Sequence, residues 1–248
     1  MAGLTLHQFL FSHFNEKARW ALDYKGIPHQ RRAYLPGPHR PAMQKLSGQG
    51  QTPVLSVGDE VIAGSAEIID SLESRYPEPA LYPSDTALRT EALALQTHFD
   101  AVVGPAVRTA LFSVLINEGG YITRMFARDA GGLTRALYRA TFPLARGMIA
   151  KGNGVTDPAN VERAFEITES TLQEVSDQAA PTGYLVGNSF SVADLTAAAL
   201  LAPLAALSHP DMARPQPVPQ TLEAFYARWA DDPAIAWVRH QYEEHRPA

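Results

Sequence analysis

Gly50-Gln51-Thr52-Pro53-Val54-Leu55, with Ser65-Ala66-Glu67-Ile68-Ile69 opening a helical pattern ten residues later, is the stretch that decides the fold. Proline lacks a backbone donor, so a strand tolerates it only at an edge, a bulge or the first position. Pro53 therefore opens a strand that Val54, Leu55 and Val57 continue. Gly58-Asp59 supplies the turn and Val61-Ile62-Ala63 returns, a short antiparallel hairpin by pattern and turn chemistry. An X-Pro bond is the one peptide for which the cis form costs little. A cis bond here would turn the N–H and C=O of Thr52 outward as an unpaired edge, which a small bound peptide would complete.

Working outward, residues 4–9 read as a strand and 15–25 as a helix stopped by Gly26, with Pro28 just beyond; residues 30–34 read as a second strand. A Pro-rich loop (Pro36, Pro38, Pro41) and a short helix near 42–46 lead into the hairpin, and a helix over 65–76 follows. The order is βαβαββα. From Thr86 onward strand signals almost vanish, and helices separated by Gly, Pro and Asn run to the end. Within them, Gly183-Tyr184-Leu185-Val186-Gly187 precedes Ser191 and Asp194, an acidic capping box before an apolar helix, with Phe190 as its staple. At 248 residues the length suits one or two domains, and the change of pattern favours two.

This order, with Gln51-Thr52-Pro53, Ser65-Ala66-Glu67 and the later capped helix, resembles the cytosolic glutathione S-transferase superfamily, in its serine-type, bacterial-like form. The resemblance implies an α/β thioredoxin-like domain over 1–80 that binds glutathione, an all-α helical domain over 86–248 that holds the second substrate, and a homodimer. Ser191 and Asp194 are then folding residues.

The chain has no cysteine. Disulfide exchange needs a protein thiolate, so redox chemistry on a protein sulfur is excluded and any thiol must come from the ligand. Glutathione, as co-substrate, supplies one. A thiol with a pKa near 8.5 is only a few per cent ionised at neutral pH, and hydrogen bonds to the thiolate raise that fraction. The end of the first strand and the start of the first helix offer free N–H groups and a favourable dipole. Ser12 lies there, in Phe11-Ser12-His13-Phe14-Asn15, and matches by position the hydroxyl that donates to the glutathione sulfur in serine-type members. Asn15 is its rival as catalytic donor. Both residues are equally good helix caps, and His13 is read as exposed rather than catalytic. No tyrosine stands on the first strand.

For the γ-glutamyl end, Ser65 and the N–H groups of Ser65 and Ala66 make a carboxylate site, against the plainer reading of an N-cap. Family members usually carry an acidic or amide residue just before this serine, and here that position is Gly64. Glu67, or a residue of a second subunit, is the substitute for the missing ammonium partner. Thr52 and Pro53 face the peptide backbone, and Gln51 and His39 are the candidates for the glycine end.

A hydrophobic electrophile is expected between the domains, against Phe11, Phe14, Phe99, Arg108, Phe112 and Ile116. The last three share one helical face, with a bend at Gly104-Pro105 just before them. Core packing explains the apolar members equally well. Arg108 needs a partner, an acidic electrophile or Asp100.

Eight basic and eight acidic residues fall within 1–80, so the net charge of −5 arises wholly in the helical half. Arg124, Arg128, Arg135, Arg139, Arg146 and Lys151 form a local basic exception, read as a solvated face or a steering patch. Negative charge and the absence of a basic–aromatic motif argue against nucleic acid. The longest apolar run, 195–207, is too short and interrupted to span a membrane. The start lacks signal-peptide features, which leaves a cytoplasmic location as the expectation. His240 and His245 are five apart and do not share a face as a zinc pair would, and no phosphate loop is present, so no metal and no nucleotide are expected. The reading is a glutathione transferase that activates the thiol for conjugation, thiolytic cleavage or isomerisation. The alternative is a non-catalytic binding or scaffold protein of the same fold.

Overall fold

The computed structural model describes residues 3–247. Its first half is β1 (Leu4–Gln8), α1 (His13–Tyr24), β2 (His29–Ala33), α2 (Arg40–Ser47), β3 (Val54–Val57), β4 (Glu60–Ala63) and α3 (Ser65–Arg75). The strands form one sheet in the order β2-β1-β3-β4. β1 runs parallel to β2 and antiparallel to β3, which pairs antiparallel with β4. The register sets Leu6 opposite Leu55, and these two bury against Ile68, Ile69 and Leu72 of α3 and Ala18 and Leu22 of α1. This is the expected βαβαββα order. The ends shift by one or two residues, two at the starts of α1 and α2; α1 starts at His13 because Phe11 already turns the chain at φ 55° and Ser12 is the extended residue that enters the helix.

The second half is helical: α4 (Thr86–His98), a π-helical turn (Phe99–Val103), α5 (Gly104–Leu115), α6 (Gly119–Phe126), α7 (Gly132–Gly152), α8 (Pro158–Ala179), α9 (Val192–Leu201), α10 (Gln220–Ala227) and α11 (Pro233–His245). Asp85 caps α4 by accepting from the N–H groups of Ala87 and Leu88. The expected bend at Gly104-Pro105 takes the form of the π turn immediately before Gly104, so α4 and α5 run on as one deformed helix. A side chain at Gly104 would collide with the Phe14 ring, so the glycine makes room for that ring against α5.

The two halves are joined by α9, every residue of which is buried and which packs on α1, α4, α5 and α11. Its capping box is formed: Ser191 Oγ accepts from Ala193 N–H, and Asp194 accepts from Ser191 N–H at 2.9 Å and Leu185 N–H at 2.7 Å. Lys17 of α1 meets Asp100 of the π turn at 2.6 Å, a second tie across the halves. Among the described residues no helix is long and apolar enough to cross a membrane.

Candidate active site

The turn between β1 and α1 brings the first group of residues together. Ser12 occupies the N-cap position of α1 with extended backbone, yet its hydroxyl makes no capping bond. The hydroxyl instead accepts from Asn15 Nδ2 at 2.7 Å, and the same amide donates to Thr52 Oγ1 at 3.2 Å. Asn15 is fully buried, so it works as a strut between the start of α1 and the residue before Pro53. The Thr52–Pro53 bond is cis. Both amide hydrogens of Asn15 are thereby used, which leaves it none for a ligand sulfur; the rival donor of the sequence reading is a positioning group here. Ser12 Oγ, its lone pair engaged, keeps its own proton uncommitted among the described residues. The first intrahelical bond is Glu16 N–H to Ser12 C=O at 2.7 Å, so the preceding N–H groups of the turn have no intrahelical acceptor and add their dipole to the same place.

Next to Thr52, β3 and β4 lead to the start of α3. Gly64 holds φ 112°, a conformation open to glycine, and its N–H donates to Pro53 C=O at 3.1 Å. Gly64, not Ser65, is the N-cap residue; Ser65 is the first helical residue, buried, with its hydroxyl making no capping bond. The Glu67 carboxylate folds back over Gly64, so that a Cβ there would collide with Oε2. An acidic group therefore stands where the chain carries no side chain of its own at 64. A cavity of about 430 Å³ flanks this point, lined in part by Ala66, Glu67 and Asp70. Gln51 is exposed. His39 is a correction: Nε2 meets Gly50 C=O at 3.0 Å and Nδ1 accepts from Gly37 N–H at 3.1 Å, so both ring nitrogens brace the loop and neither is free for a ligand.

Further corrections fall on the acceptor side. Phe99 and Ile116 are core residues, and Phe11 is buried with Arg128 and Arg214 guanidiniums 5.2 and 5.7 Å from its ring. Phe14 and Phe112 are half-buried. Arg108 does not meet Asp100, whose partner is Lys17. His13 is buried, not exposed, and meets Gly104 C=O at 3.1 Å through Nε2. Burial, then the charge of Arg108 and less strongly that of Arg214, brings its pKa down to about 3, so the ring is neutral and donates to the carbonyl throughout the working range. Arg124, Arg128, Arg135, Arg139, Arg146 and Lys151 are all exposed, as a solvated face requires, and Arg124 and Arg135 in addition donate to backbone carbonyls, those of Gln216 and Pro217 and those of Ala127, Arg128 and Ala130. Sequence reasoning passed over Arg214 and Tyr121 beside this site; their neighbours lie too far along the chain for any local pattern.

Residues 6–80 match the family profile "Glutathione S-transferase, N-terminal domain" and residues 158–239 match "Glutathione S-transferase, C-terminal domain". The chain belongs to the glutathione S-transferase superfamily. Among relatives, it is 35% identical over 104 residues to a maleylpyruvate isomerase of Ralstonia sp., covering 41% of this chain and 47% of that one. It is 31% identical over 125 residues to a maleylacetoacetate isomerase of Pseudomonas aeruginosa, covering 47% and 58%. The chain thus spans about half the length of the curated relatives it matches. The fold is shared over the whole length with the β-etherase LigF of Sphingobium sp. strain SYK-6, at 20% identity and TM-score 0.63, covering 96% of this chain and 99% of that one. It is also shared with a theta class glutathione S-transferase of Xanthomonas axonopodis pv. citri solved with glutathione bound, at 20% identity and TM-score 0.60, covering 100% and 99%.

Proposed function

We propose that this glutathione S-transferase superfamily member binds glutathione along Thr52 and the start of α3, and activates its thiol at Ser12 for attack on an electrophile. The observation that carries the reading is the Asn15–Ser12–Thr52 arrangement: a hydroxyl at a helix N-terminus, oriented by a buried amide, with its proton free to meet a thiolate. Hydrogen bonding to the charged form lowers the thiol pKa. In the attack the sulfur forms a bond to the electrophilic carbon, the thiol proton passes to solvent, and any leaving group departs with its bonding pair. Asn15 fixes the hydroxyl and Thr52 offers its backbone to the peptide. Ser65, with the first N–H groups of α3, receives the γ-glutamyl carboxylate. Glu67 over Gly64 answers the ammonium group, which fills the gap left by the family's acidic or amide residue and favours the enzyme over the scaffold alternative.

Conjugation, ether cleavage and isomerisation all begin with the same thiolate, and the reading is supported by relatives named as isomerases and a fold neighbour named as a β-etherase. A homodimer, as in the superfamily, is part of the proposal, to be read by light scattering.

Calorimetry with millimolar reduced glutathione should register binding. With a neutral electrophile, kcat/KM should rise with pH through a bound-thiol pKa below the free value of about 8.5. Ser12→Ala should lower kcat/KM by about 10²-fold and move that limb upward. Absence of glutathione heat, or an unmoved pH limb in Ser12→Ala, overturns the assignment.

A further inference from the structure

The acceptor side holds more positive charge than the protein itself answers. Arg214 is 9% exposed; its Nε donates to Tyr226 Oη at 3.0 Å, while both terminal nitrogens are buried with no acceptor. Arg108 is half-buried, and among the described residues it makes no hydrogen bond or ion pair, its Nε being wholly enclosed. The Tyr121 hydroxyl is a third enclosed polar group without a partner. Arg214 lies 5.7 Å over the ring of Phe11, in the turn that carries Ser12; the positive charges of Arg108 and Arg214 both reach His13 of that turn, and that of Arg214 reaches Tyr121. No carboxylate of the described residues lies within ion-pair distance of Arg108 or Arg214, although ion pairs abound elsewhere in the molecule.

A guanidinium taken out of water with unpaired N–H groups is costly, and such groups are normally answered by an anion. His13 is neutral and supplies no anion. Arginine's planar fork matches a carboxylate. We propose that Arg108 and Arg214, with the Tyr121 hydroxyl, form a carboxylate subsite for the acceptor, so that the electrophile of this protein is an organic anion and not merely hydrophobic. The carboxylate seats against the Arg214 guanidinium while the reacting carbon faces the sulfur at Ser12. This rests on the thiol assignment only for the reaction; the anion subsite exists without it.

Two measurements separate the inference from that assignment. The first needs no glutathione: calorimetric binding of 3-nitrobenzoate against 3-nitrobenzamide, a pair alike in shape and differing in charge. The acid should bind at least about tenfold tighter in the native protein, and the advantage should fall toward unity in Arg108→Gln and Arg214→Gln while Arg214→Lys retains part of it. Equal binding of acid and amide by the native protein overturns the subsite, as does an advantage that persists in both glutamine variants. Should a variant fail to fold, the native comparison still decides.

The second uses 4-chloro-3-nitrobenzoate and its carboxamide with glutathione. The sulfur bonds to C4, chloride leaves with the C–Cl pair and the thiol proton goes to solvent. After division by the uncatalysed rates, kcat/KM should favour the acid by a similar factor; a ratio of one overturns the inference. Acid preference in binding without any glutathione heat would leave the anion subsite standing and remove the transferase reading instead.

Discussion

Ser12 and Glu67 show how much one residue's surroundings alter its reading. A serine before a helix is ordinarily a cap, but Ser12 Oγ caps nothing because Asn15 Nδ2 reaches it first, at 2.7 Å. A glutamate in the first turn of a helix ordinarily answers the dipole. Glu67 does so too, and it also fills the space over Gly64 that a side chain at 64 would take. Glu67→Gln should therefore weaken glutathione binding about tenfold, consistent with losing one charge-assisted hydrogen bond, yet leave binding of glutathione lacking its α-amino group unchanged. Equal losses for both ligands, read by calorimetry, would deny Glu67 the ammonium. The places of Ser12, Thr52, Gly64 and Ser65 at strand and helix ends are legible in the sequence because each sits in a short local pattern. Arg214 was not legible, since Phe11, Tyr121 and Tyr226 come to it from three separate segments.

Elements were easier to read than sites, because hydrophobic period and punctuation act over ten residues. The strand starts at Val54, directly after Pro53, and Ser191 with Asp194 caps a helix. The π turn at Phe99–Val103 was beyond reach, since its side chains keep a helical pattern while one extra residue enters the turn. α7 presents its basic residues to solvent as its pattern implies, but it buries only Tyr138 and Phe142 and also exposes Leu133 and Leu144, each 85% accessible. Replacing Leu133 and Leu144 by serine should move the urea midpoint little, within about 0.5 kcal/mol per site. The capping box of α9 behaves oppositely. Asp194 accepts from two buried N–H groups and the Ser191 hydroxyl, so Asp194→Ala should cost about 2–4 kcal/mol and Ser191→Ala about 1 kcal/mol. Urea unfolding at pH 7 checks both. Near-equal losses would mean that the helix is held by packing alone.

Over the whole molecule, the segment after α11 is fastened to the first helix through charge. Arg246, buried, meets Glu16 and Asp23 at 2.8 Å and Asp211 at 2.7 Å, while Trp20 Nε1 donates to His245 C=O at 3.0 Å. Glu16, His209 and Asp211 lie close enough to resemble a cation site, but Arg19 and Arg246 already supply the charge there. Nothing local in the sequence marks a network that joins Glu16 and Asp23 to Arg246, more than two hundred residues away. Burial works to raise the Glu16 pKa, and Arg246 and Arg19 outweigh it, holding the carboxyl down to about 2. Because the folded-state value is depressed, Glu16 contributes its full stability above the unfolded carboxyl range near pH 4.5, and loses it as pH falls toward 2. His13 adds to the acid limb: its folded value of about 3 means that unfolded chains take up the proton first, so stability falls as pH drops below about 6.5. Arg246→Met leaves Glu16 with Arg19 alone and two further carboxylates short of a cation, and should cost about 3–5 kcal/mol at pH 7. It should also flatten the fall in urea midpoint between pH 4.5 and 3, because Glu16 then titrates closer to its unfolded value. His13→Gln should flatten the fall between pH 6.5 and 4.5 instead. Midpoints measured from pH 3 to 7 distinguish the two, and parallel curves for Arg246→Met and the native protein would remove the charge network from the account of acid stability.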